Sequence, residues 1–184
     1  MKVQQVEVAP RSRREIRGFA QVFREISLRA LRTAGSAFPI VDALELVLPG
    51  LDPDFALEIG RMRDMGEDHG LTIPSAHIIR LREDVYEGAC EGLGRDRLTV
   101  AHEVGHFLMH DDHLPRFARR NVAIPLPAFR NAEWQASCFG AELLVFPDGL
   151  SADMTDRHVA TLRGVSNEAA KYQMNVYRKE GLLR

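Results

Sequence analysis

The sequence predicts an α+β fold: a small antiparallel or mixed sheet laid against one motif-bearing helix, with a C-terminal pair of helices. Three observations predict it. Apolar residues recur at helical spacing from Arg13 to Thr33, and strand-like runs fill the stretch from Phe38 to Tyr86. From Leu98 onward every periodic segment is helical again, beginning with the one that carries His102-Glu103-Val104-Gly105-His106. A chain of 184 residues, 45% hydrophobic and 27% charged, suits one compact domain or a domain with a small appendage. Its net charge of −2 gives no general attraction to nucleic acid or to an anionic membrane, although residues 1–32 carry eight Lys or Arg against three Glu. The two cysteines, Cys90 and Cys138, make neither a disulfide framework nor a C-x-x-C metal knot. No apolar run approaches the roughly 20 residues of a membrane span, and the first residues do not open a signal peptide. A cytoplasmic location without membrane association is expected.

Taken in order, Ile16, Phe19, Ala20, Phe23, Ile26, Ala30 and Leu31 form the apolar face of a first amphipathic helix, with arginines on the other faces. Phe38 to Leu48 is apolar and partly alternating, ends at Pro49-Gly50, and reads as a strand. Asp54 to Arg61 reads as a second strand or a short helix, and Met62 to Gly70 as a polar turn with His69 a loop histidine. Ser75 to Tyr86 is a further strand-like run with charges interleaved, as on a strand with one wet face or a free edge. A glycine-rich turn, Gly88 to Gly94, leads into the motif helix, which Asp96 or Thr99 can cap and whose buried stripe is Leu98, Ala101, Gly105 and Leu108. A proline-bearing connection follows, long enough to suggest a functional loop. Asn131 can cap the next helix, Ala132 to Val145, which Pro147 ends. Ser151 to Arg184 reads as two short helices meeting at Gly164-Val165-Ser166. The boundary is therefore placed at Pro147: residues 1–147 form the main domain, with the 1–35 helix packed on it, and 148–184 a helix-turn-helix-like appendage.

The motif is where chemistry enters. Residues four apart on an α-helix stand one turn above each other on one face, so His102 and His106 can aim two imidazole nitrogens at one zinc ion. Glu103 is rotated about 100° around the helix axis and lies beside the metal, where it can take a proton from a water. A catalytic zinc usually has three protein ligands. His110 is a further turn along the same straight helix, too far to share the ion, and reads as a cation at a helix C-terminus. Asp112 would complete a metzincin-type pattern, which needs glycine where this chain has Met109. Glu133 is the better candidate: it sits in the first turn of the next helix, beside the small residues Ala136 and Ser137.

Arg95-Asp96-Arg97-Leu98-Thr99-Val100-Ala101-His102-Glu103-Val104-Gly105-His106, followed by Glu133-Trp134-Gln135-Ala136-Ser137-Cys138-Phe139-Gly140-Ala141-Glu142-Leu143-Leu144, resembles the ImmA/IrrE family of metallo-endopeptidases. That family's pattern runs R-F-T-x-A-H-E-x-x-H, then E-x-Q-A-N-x-F-A-x-x-L-L-M-P. The resemblance covers about residues 38–147. It implies a small zincin-like fold, Glu133 as third metal ligand, Glu103 as catalytic base, and as substrate a helix-turn-helix transcriptional repressor whose cleavage switches genes on. Ser137 stands where the family usually has Asn, which bears on how the metal ligands are supported, and Leu143-Leu144-Val145-Phe146-Pro147 is longer than L-L-M-P.

The expected activity is therefore zinc-assisted peptide hydrolysis, with manganese or ferrous iron as alternative metals on the same ligands. The run Ser75–Tyr86 is the expected edge on which a substrate backbone pairs as an added strand. Tyr86, His113 and Arg119 are the candidates for stabilising an oxyanion. The rival reading is a non-proteolytic metal-binding module that grips a regulator protein or DNA through its C-terminal helices. Lys171, Arg178 and Lys179 could touch phosphates, but they are sparse beside a typical DNA reader.

Overall fold

The computed structural model describes residues 6–110 and 126–183 of the protein. Its elements are α1 (Arg13–Ala30), α2 (Ile40–Asp42), a π-turn (Ala43–Val47), α3 (Leu48–Leu51), β1 (Ala56–Gly60), α4 (Met62–Met65), β2 (Gly70–Ile73), β3 (Ile78–Arg82), α5 (Glu83–Cys90), α6 (Gly94–Met109), α7 (Ala132–Leu144), α8 (Asp156–Arg163) and α9 (Asn167–Glu180). The fold is α+β, with a three-stranded mixed sheet and helices elsewhere.

Local chemistry accounts for most helix ends. Ser12 and Glu15 form a reciprocal capping box at the start of α1. The Asn131 carboxamide oxygen accepts from the Glu133 and Trp134 amides at 2.9 and 3.4 Å and starts α7. Gly164, in the left-handed region at φ 62°, ends α8, and Ser166 caps α9. The motif helix differs from expectation. It begins at Gly94 with Leu93 as a flanking residue that makes no side-chain cap, so neither Asp96 nor Thr99 plays that part.

Three further readings are corrected. Phe38–Leu48 is not a strand: the backbone is helical from Ile40 to Leu51. Ile40, Ala43, Leu44, Val47 and Leu48 are all buried, the i, i+3, i+4, i+7, i+8 face of a helix, which a short and nearly continuous apolar run does not distinguish from a buried strand. Pro49 does not break this helix because the preceding turn has already widened, with the Leu48 amide donating to Ala43 rather than to the residue four back. Ser75–Tyr86 is a strand only from Ile78 to Arg82, after which Glu83 and Asp84 open α5 and carry it past Gly88. Its place in the sheet also differs. The order is β1-β3-β2, with β1 parallel and β2 antiparallel to β3, so β3 is central and β2 is an edge. Strand β2 leaves no pattern in the sequence, because Leu71-Thr72-Ile73 is too short a run between Gly70 and Pro74 to show alternation. The Asp54–Arg61 segment is a strand.

One apolar core joins α1 (Ile16, Ala20, Phe23), the α2–α3 run (Leu44, Leu48), β3 (Ile79, Leu81), α6 (Val100, Val104), α7 (Phe139, Leu143) and α9 (Met174, Tyr177). At its α1–α7–α9 corner lies Glu142, fully buried. The Arg17 guanidinium reaches it through Nε and Nη2 at 2.7 and 3.1 Å, Arg13 Nη1 at 3.3 Å, and the Tyr177 hydroxyl donates to Oε2 at 2.8 Å. Burial, then the Glu142 charge, push the Tyr177 phenol well above its ordinary range. Glu142→Ala leaves Arg17 with Glu180 alone at 2.6 Å and takes the carboxylate from Arg13, and removing one partner of a buried pair costs about 3–5 kcal/mol. Urea unfolding of the variant should show a loss of that size, and a loss below about 1 kcal/mol would mean that the cluster is solvated rather than structural.

Candidate metal centre

The site is made where α6 and α7 cross, and the crossing is close because two glycines face each other's helix. A Cβ on Gly105 would stand 3.0 Å from the Phe139 ring and 3.2 Å from the Ala136 Cα. One on Gly140 would stand 3.2 Å from the His102 nitrogen. With no side chain between the backbones, the first turn of α7 comes level with the two motif histidines.

That brings together the residues picked from the sequence. His102 Nε2 lies 3.3 Å from Glu133 Oε2, His106 Nε2 3.4 Å from Glu133 Oε1, and the two Nε2 atoms are 3.0 Å apart. Ligands held tetrahedrally at about 2.05 Å from an ion are about 3.3 Å from one another, so these separations suit a small divalent cation at the centre of the three. Among the described residues, this trio is the group of histidine and acidic side chains close enough to hold a metal. The facing imidazoles of His102 and then His106 hold the Glu133 carboxyl well below its usual range, against the opposing effect of burial. It is thus anionic, as a ligand must be.

Glu103 lies on the adjacent face of α6, buried but bordering an open cleft of about 460 Å³ whose walls include Gly70, Arg95, Thr99, His102 and Ser137. The Thr72 hydroxyl on β2 lies 2.7 Å from Glu103 Oε2 and 3.1 Å from its backbone carbonyl. It donates to one of these oxygens at a time: to Oε2 it ties the carboxylate to the sheet edge, and to the carbonyl it ties the α6 backbone there. Gly70 leaves the room for it, since a Cβ there would meet the Glu103 Cγ at 2.6 Å. His69 is on the cleft wall with its Nε2 3.2 Å from Arg95 Nη2, a loop histidine as expected.

The histidines are braced from behind. His102 Nδ1 is 3.2 Å from Ser137 Oγ, the position where the sequence departs from its family pattern. His106 Nδ1 is 2.9 Å from His110 Nδ1, and His110 Nε2 is 3.2 Å from Gln135 Oε1. His110 is not the helix-terminal cation expected from the sequence. Burial, then the neighbouring His106, push it down to about 4. Of the oxyanion candidates, the Tyr86 hydroxyl is engaged by Glu45, while His113 and Arg119 lie outside the described residues, as does Asp112.

Residues 61–175, well over half of the protein, match the family described as Peptidase_M78, the IrrE N-terminal-like domain. The chain belongs to this metallopeptidase family. The match runs from α4 into α9 and takes in β2, β3, α6 and α7, the elements that build the site. No curated protein matches the chain. Family membership makes a metallopeptidase the kind of activity and a protein the kind of substrate. No helix among the described residues is long and apolar enough to cross a membrane.

The sequence motif pointed to both helices, whereas Thr72 and Gln135 escaped it because each meets the site through the tertiary fold, and His110, whose place at the helix end reads as that of a terminal cation, backs His106 one turn away. Ser137→Ala removes the hydroxyl that faces His102 Nδ1 and should weaken divalent metal binding roughly tenfold, read by chelator competition. An unchanged affinity would show that the α6 backbone alone orients His102.

Proposed function

We propose that the protein is a zinc endopeptidase in which His102, His106 and Glu133 hold the metal and Glu103 is the general base. The observation that carries this reading is the 3.0 Å separation of the two imidazole Nε2 atoms on α6, each within 3.4 Å of a Glu133 carboxylate oxygen from α7. Two imidazoles and a carboxylate suit zinc, with manganese and ferrous iron as alternatives. A bound zinc supplies Lewis acidity, acidifying a water toward pKa about 7 and polarising the scissile carbonyl.

The chain's own residues do the rest. Glu103 takes the proton from the attacking water and delivers it to the leaving amine. When the Thr72 hydroxyl occupies Oε2, the proton travels on Oε1. The cleft beside Glu103 is lined along one wall by Glu67, Asp68, His69 and Gly70, where the chain enters the edge strand β2, so the expected substrate-pairing edge moves there from the central β3. Arg82 donates to His69 at the start of the antiparallel ladder, which makes Leu71 and Ile73 the inward-bonded residues and turns the backbone groups of Gly70 and Thr72 outward. An extended peptide added on that side would pass directly by Glu103.

The substrate we propose is a helix-turn-helix transcriptional repressor, cleaved in the cytoplasm so that its genes are released. This rests on the resemblance in the two motif stretches. Residues 1–147 would then be the peptidase unit, with 148–184 packed on it. The DNA-binding alternative loses ground at Arg178, which turns back toward Asp156 at 3.8 Å and toward the Ala152 and Met154 carbonyls.

The zinc-loaded protein, incubated with the helix-turn-helix regulator encoded beside its gene, should cut it at one or a few bonds and stop on chelation. Glu103→Gln should keep its zinc and lose at least about a hundredfold in kcat. Cleavage at an unaltered rate in that variant would remove Glu103 from the mechanism, and cleavage indifferent to chelators would remove the metal.

A further inference from the structure

The two histidines are supported in different ways. His102 Nδ1 faces a hydroxyl, which rotates and either gives or accepts a hydrogen bond, so Ser137 imposes no tautomer. His106 stands at the end of a row of groups in which each orientation follows from the one before it.

The row starts at Gln135, which is fully buried. Its amide nitrogen lies 2.8 Å from the Ala9 carbonyl and 2.8 Å from the Phe129 carbonyl. Both are pure acceptors, so the NH2 faces them and Oε1 is left to face His110 Nε2 at 3.2 Å. An oxygen acceptor there calls for a hydrogen on His110 Nε2, which leaves the Nδ1 of the neutral ring with a lone pair. That lone pair meets His106 Nδ1 at 2.9 Å, and two ring nitrogens so close share one hydrogen, donated by His106. The remaining nitrogen of His106, Nε2, is then bare where it faces Glu133 and His102. The opposite polarity would place a hydrogen on Nε2 and close it to a metal.

We propose that His110 and Gln135 are positioning residues that fix the tautomer of His106, presenting the Nε2 lone pair to the ion. The inference rests on the metal centre proposed above and deepens it. The far end of the row is tied to two separate backbone segments, at Ala9 and Phe129, so the amide is held by the fold and passes its orientation inward to the ligand.

The test uses the full-length protein with zinc and separates hydrogen bonding from space filling. In an asparagine at 110, the side-chain oxygen takes the place of His110 Nδ1 and still accepts from His106, whereas phenylalanine keeps the ring and loses the acceptor. By chelator competition, His110→Phe should weaken zinc binding 10–100-fold and His110→Asn only a few-fold. A purely structural ring would give the reverse order, and equal affinity in wild type and His110→Phe would overturn the proposal. Independently of any variant's folding, nitrogen-15 spectra of the zinc-loaded wild type should show His110 protonated at Nε2. They should also show a coupling between His106 Nδ1 and His110 Nδ1 across the shared hydrogen. Protonation of His110 at Nδ1 would overturn the proposal. A protein that shows this pattern but cuts no peptide would refute the endopeptidase reading and leave the tautomer relay standing.

Discussion

The whole arrangement depends on how closely two helices approach. Ordinary helix pairs are kept 8–10 Å apart by the side chains between them, and a catalytic carboxylate or ligand would then need a long, loose side chain to reach across. Here Gly105 and Gly140 clear the crossing, so a glutamate in the first turn of α7 reaches histidines in the middle of α6. Neither glycine touches the metal-binding atoms, yet each decides where those atoms are. The cleft follows from the same approach, because β2 packs along the other side of α6 and holds Glu103 through Thr72.

A crossing without side chains gives up dispersion and apolar burial at its centre, and the structure recovers them around it. Phe139 packs over Gly105 and tilts against Phe23, which in turn meets Phe38. The buried Glu142 on α7 gathers Arg13 and Arg17 of α1 and Tyr177 of α9. Such a cluster is a weak source of net stability but a strong one of geometry, since few positions of three helices satisfy all its partners. It fixes the roll of α7, and with that the direction in which Glu133 points nine residues earlier.

How much of this was legible in the sequence depended on the range of the interactions. The α+β class, the motif helix, the Asn131 cap and the turn at Gly164-Val165-Ser166 are local, written in spacing and capping residues. Glu133 was legible for the same reason: a cap two residues before it, at Asn131, fixes which residues occupy the first turn. The Phe38–Leu48 stretch was misread because a buried helix and a buried strand both look like a short apolar run, and Pro49 suggested an end that the π-turn avoids. The edge of the sheet was assigned to β3 because β2 is only four residues long. Thr72 and Glu103 are 31 residues apart, and Gln135 and Ala9 are 126 apart; no periodicity records such pairings.

The N-terminal segment takes on a different aspect in this light. Residues 6–11 lie along the approach to α7, with Val8 and Arg11 donating to the Arg130 and Phe129 carbonyls and Glu7 paired with Arg130 at 3.0 Å. They precede the part of the chain that matches the family by some fifty residues, yet Ala9 offers one of the carbonyls on which Gln135 hangs. A protein trimmed to the family-matching segment would keep His102, His106 and Glu133 and lose a hinge pin. Whatever detaches that strap, whether a fusion partner, a protease or a binding protein, would release the Gln135 amide from one of the two carbonyls that hold it.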